Sequence, residues 1–147
     1  MDNTQHIQLI RWAVKCTENV LPLTGRVTAV KLKNILVIAE EWAKGTAKTG
    51  DARKASLKAI SIARESPDPV AVSVARSAGH AVATAHMADH CIGAALYAVK
   101  AAKAAGRSSK DERNWQNGIL PREIKELVLD LRCKKEKHFR IPEQSNS

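Results

Sequence analysis

Between residues 68 and 105 the chain carries 14 alanines together with Gly79 and Gly93, so few side chains hold neighbouring backbone away from this stretch. Alanine is the strongest helix former, and small residues let helices approach closely while larger side chains from elsewhere fill in around them. One unbroken helix of that length would span about 60 Å at roughly 1.5 Å per residue, more than a compact domain of this size allows. The stretch therefore predicts two helices of about 18 residues, packed antiparallel, with a break near residues 86–90. Aromatic residues make up only 3% of the chain, so the side chains that favour strands are scarce. An all-α fold follows.

The rest of the sequence is punctuated as a helical bundle. Ile10, Ala13, Val14 and Thr17 repeat at helical spacing in a first segment that opens at Asn3 or Thr4 and stops at LPLTG. A second segment places Leu32, Ile35, Leu36, Ala39 and Ala43 on one stripe, with Trp42 beside it, and ends at Gly45. The third begins near Thr49 or Asp51, either of which can cap it, and ends before SPDP. After the alanine-dense pair, Ser108 or Ser109 caps a short helix through Trp115. Pro121 then opens a last helix with Ile124, Leu127, Val128 and Leu131 on one face. The sum is a compact bundle of six to seven antiparallel helices in a single domain over residues 1–132. Residues 133–147 are expected to form a basic tail without regular structure.

A formal charge of +9 arises from 24 Lys and Arg against 15 Asp and Glu, which favours anionic partners. Part of the excess is local: Arg132, Lys134, Lys135, Lys137 and Arg140 crowd together near the end, a patch that could touch nucleic acid or simply be solvated. Cys16, Cys91 and Cys133 are odd in number and show no CxxC spacing, so free thiols are expected. No apolar run approaches the roughly 18 residues that span a bilayer, and the reading is a cytoplasmic protein without a membrane partner.

Chemistry, if the chain performs any, belongs to GHAVATAHMADHC, residues 79–91, which holds three of the five histidines. On a helix His86 and His90 lie one turn apart, a spacing at which two imidazoles can share a metal with Asp89. His80 points away from that pair on a continuous helix, and a break could restore convergence. The competing reading makes the three histidines packing residues whose ring nitrogens satisfy nearby polar groups where alanine leaves room. HExxH, GxSxG, Walker and GxGxxG motifs are absent, so neither a catalytic site nor a cofactor is expected. Cys91 beside His90 is the one adjacent thiol and imidazole, but helical neighbours diverge by about 100°. Trp12, Trp42 and Trp115 read as anchors, with Trp115 a plug that docks its helix.

AEEWAKG, DARKA, VARSAGHAVATAHMADHCIGAALYAVKAA and DERNWQ, taken in that order, resemble the putative immunity protein family, small proteins of bacteria and archaea. The likeness covers roughly residues 8–132. Its most particular part is AGHAVATAH, matched at Gly79, His80, Thr84, Ala85 and His86, and a Glu-x-x-Trp-Gln signature falls on Glu112, Trp115 and Gln116. The resemblance implies an all-helical fold and a non-enzymatic protein that binds and neutralises a cognate toxin. The chain departs from the acidic balance common among immunity proteins directed at nucleases.

Overall fold

The computed structural model describes residues 1–139, and all regular secondary structure among these is helical. Seven α-helices follow one another: α1 (Asn3–Val20), α2 (Arg26–Lys44), α3 (Thr49–Glu65), α4 (Pro69–Ala83), α5 (His90–Ala104), α6 (Ser109–Gly118) and α7 (Arg122–Phe139). A short 3-10 turn, Leu21–Leu23, joins α1 to α2. No helix among the described residues is long and apolar enough to cross a membrane.

The helix ends obey local chemistry, with two adjustments to the sequence reading. Asp2, rather than Asn3 or Thr4, caps α1: its Oδ1 accepts the Gln5 N–H at 2.8 Å while Gln5 Oε1 accepts the Asp2 N–H. At α3 the capping position is Lys48, and Asp51 reaches back to accept its N–H at 2.9 Å. Gly45 closes α2 with φ +86°, a left-handed conformation that a Cβ would strain. Ser108 caps α6 by accepting the Asp111 N–H.

The alanine-dense stretch is the centre of the bundle. It breaks at residues 84–89, giving two 15-residue helices, each shorter than the sequence suggested. α4 packs on α1, α2, α3 and α5, while α5 packs on α1, α4, α6 and α7. Ala75, Ala78, Ala94, Ala95 and Ala98 are fully buried along this seam. Ser77 pairs with Ala94 and His80 with Gly93 and His90, the falling register of an antiparallel pair. Where two hydroxyls enter this seam they are satisfied: Thr17 of α1 donates to Ser77 Oγ at 2.8 Å, and Ser77 donates to the Ala94 carbonyl at 2.7 Å. Gly79 serves the α3 side, where a Cβ would come within 3.2 Å of the Ala59 Cβ.

The last two helices are bolted on by a buried polar network. Arg132 is 1% exposed and donates to Gln116 Oε1 at 2.6 Å, to Asn117 Oδ1 at 3.1 Å and to Glu136 at 3.2 Å. Gln116 in turn donates to the Ala95 carbonyl of α5, and its own carbonyl accepts the Trp12 indole N–H of α1. Arg113 forks onto both oxygens of Glu136, and Glu136 also pairs the buried Arg132 charge, each of whose three nitrogens donates a hydrogen bond. This overturns the expectation that Arg132 belongs to a solvated basic patch. Helix α7 continues through Phe139, so residues 133–139 of the expected tail are helical; residues 140–147 lie outside the described residues.

Two substitutions, with a third as control, test this packing by denaturant unfolding. Ala78→Leu forces three further side-chain carbons into a filled seam and is expected to cost roughly 1–3 kcal/mol or more, whereas Leu at the exposed Ala104 should stay within about 0.5 kcal/mol of wild type. Arg132→Met orphans the Gln116 oxygen and is expected to cost roughly 3 kcal/mol; an unchanged midpoint would refute the network's role.

Candidate functional site

The site is built where α4 ends and α5 begins. The chain unwinds over residues 84–89, and the reversal of direction turns His80, near the end of α4, toward His90, the first residue of α5. Their Nδ1 atoms lie 2.9 Å apart, so one ring donates its Nδ1–H and the other accepts with a bare Nδ1. His86 sits in the connection with its ring 5.6 Å from that of His90, and its buried Nδ1 has no hydrogen-bond partner. The three rings therefore gather, as a break in the helix permits. They do not do so by the one-turn spacing of His86 and His90, because the turn between them is not helical.

Gly93 makes room for the pair. A Cβ at that position would fall 2.5 Å from His80 Nδ1, inside the ring's van der Waals envelope, so any larger residue there displaces the imidazole. Tyr97 stacks on the other side of the cluster, 5.4 Å from His80 and nearly parallel to it, and carries the cations of Arg76 and Lys100 over its ring at 5.8 and 5.5 Å. A second clamp holds the connection itself: His6 of α1 donates its Nε2–H to the Thr84 carbonyl at 2.6 Å and packs its ring 4.7 Å from half-buried Trp42.

Electrostatics keep the pair uncharged. Burial, then repulsion from His90, Lys135 and Arg76, pulls the His80 pKa down to about 4, with Asp89 opposing weakly. Burial likewise lowers that of His90, against the pull of Asp89. Asp89 is held instead by Lys135 of α7 at 3.5 Å, so it leaves the histidines as a pair rather than completing a ligand set. Among the described residues no group of three or more His, Cys, Asp or Glu side chains is arranged to hold a metal ion. Cys91 is buried and its thiol is pushed up to about 12 by desolvation, which removes the thiolate that a Cys91–His90 nucleophile needs.

The remaining predicted residues are dispersed. Lys134 pairs with Asp130 and Lys137 is exposed, while Arg140 lies outside the described residues; with Arg132 buried, the expected basic patch is not one surface. Trp115 is 39% exposed, so the plug of α6 is its neighbour Gln116 and the Trp12 indole that bonds to it. Cationic side chains that matter locally were not singled out by sequence. Arg64, Arg76, His80, His90, Tyr97 and Ile60 line a cleft of about 320 Å³ between α3, α4 and α5. The single tyrosine of a chain poor in aromatics was the available signal.

Seven helices packed around a small-residue seam define a small all-α domain. The chain belongs to the Imm-5 like putative immunity protein family, whose model matches residues 1–123. No curated protein and no solved structure shows significant similarity to it.

The neutral histidine pair gives stability a defined pH dependence. Because the folded pKa of His80 lies below its ordinary value of 6.5, the unfolded chain takes up the proton first as pH falls. The contribution is complete above about pH 6.5 and is lost progressively toward pH 4, a change of about 3 kcal/mol at roughly 1.4 kcal/mol per pKa unit. Unfolding free energies measured across this range should fall with that slope in wild type and more shallowly in His80→Gln and Gly93→Ala; equal slopes in all three would refute the assignment.

Proposed function

We propose that the protein is a stoichiometric, non-enzymatic immunity protein that binds a cognate toxin and blocks it by occupying its surface. Family membership over residues 1–123 carries this reading. The chemistry of the junction supports it: the His80 and His90 imidazoles are engaged with one another, and the neighbouring thiol is raised out of its reactive range. An inhibitor of this kind needs shape and charge complementarity, and the +9 charge selects acidic surfaces. A nucleic-acid-binding role would lean on the terminal cations, of which Arg132 is buried and Lys134 and Lys135 are paired with Asp130 and Asp89.

The test is capture from the native host with the chain as bait, followed by reconstitution of the captured partner. The expected result is one co-encoded protein, bound one to one, whose toxicity is abolished by wild type and equally by His86→Ala. Recovery of nucleic acid alone, with affinity that drops by orders of magnitude between about 50 and 200 mM salt, would overturn the proposal.

A further inference from the structure

The cleft between α3, α4 and α5 has the composition of a recognition site that the histidine pair does not itself explain. Small residues line it at Ala63, Ala75, Gly79 and Ala83, together with Ile60 and Tyr97. Two arginines stand at its edges, Arg64 from α3 and Arg76 from α4, both exposed, and neither has an acidic partner among the described residues. No carboxylate lines it. With the imidazoles held neutral, the charge of the cleft comes from these arginines. Beside it α3 presents Leu57, 64% exposed, and Ile60, 41% exposed, on the same face as Arg64 and the exposed Arg53. Arginines and a tyrosine beside an apolar shoulder are the make-up of an interface core, where arginine and aromatic side chains concentrate binding energy and apolar area is covered.

We infer that this cleft receives an acidic side chain of a protein partner, its carboxylate bridged by Arg64 and Arg76 while the adjoining partner surface covers Leu57 and Ile60. This rests on the reading of the chain as a binder of another protein. A nucleic acid fits less well. The cavity of about 320 Å³ admits a side chain, whereas a strand of phosphates needs a continuous cationic track, and the Tyr97 ring on which a base would stack is already engaged by His80, Arg76 and Lys100.

A hexaglutamate peptide titrated into the labelled full-length protein, followed by the ring signals of His80, His90 and Tyr97, tests the site without the partner. The expected result is a saturable shift confined to these rings, weakened at least about tenfold in Arg64→Glu/Arg76→Glu and changed less than about twofold in the charge-matched Lys134→Glu/Lys137→Glu protein. Both variants alter exposed residues, and their unfolding midpoints confirm that the fold is kept. Equal weakening in the two variants would reduce the effect to overall charge and overturn the inference. So would equal shifts from free glutamate, which would mark a small-anion site, or from an oligonucleotide. If a toxin is captured equally by wild type and by Arg64→Glu/Arg76→Glu, this surface is wrong and the inhibitor reading stands. If the peptide binds as expected but no toxin is captured, the site stands and that reading falls.

Discussion

The structure depends on the closeness of α4 and α5. Their seam is lined by alanines with no side chain beyond Cβ, and at Gly93 even that atom is missing, so the His80 imidazole occupies the space a Cβ would take. Everything at the junction follows from this approach. It brings Ser77 onto the Ala94 carbonyl, sets the two Nδ1 atoms within hydrogen-bond distance, and buries the rings deeply enough to stay neutral. Larger residues along the seam would separate the helices and dissolve the polar contacts together.

The same packing explains why the histidines belong to the fold. A buried polar group is tolerated when its partners are inside the protein, and of the four imidazoles the structure describes three find a partner: His80 and His90 take each other, and His6 takes the Thr84 carbonyl. The exception is His86, whose Nδ1 is buried and unpaired within the connection. The unwound connection is thus fastened from α1 by His6 and from α7 by the Lys135–Asp89 pair, which fixes the approach of α5 to α4 from outside the seam.

Much of the fold was legible because it rests on local chemistry. Gly45, the SPDP stop, Ser108 and Pro121 punctuate the chain where the helices end or begin, and the period of Leu32, Ile35, Leu36 and Ala39 marks the buried face of α2. What depended on tertiary context was harder to read. Arg132 lies in a run of cations that looks solvated, yet the polar groups of α6 draw it inward, and no local pattern distinguishes it from Lys134. Trp115 and Gln116 are neighbours; hydrophobicity favours the tryptophan as anchor, but the Ala95 carbonyl and the Arg132 guanidinium select the glutamine. The convergence of the histidines required knowing where the helix unwinds, because one residue of phase rotates a side chain by about 100°. The cleft escaped for a similar reason: Arg64, Arg76 and Tyr97 come from three helices.

The central claim is that His80 and His90 form a neutral, mutually hydrogen-bonded pair inside the seam. Nitrogen-15 spectra of the histidine rings at neutral pH test it most directly. The account predicts two locked tautomers, one of these rings protonated at Nδ1 and its partner at Nε2, with no imidazolium at either. Rapidly averaging tautomers at both positions, or a charged ring at His80, would contradict it.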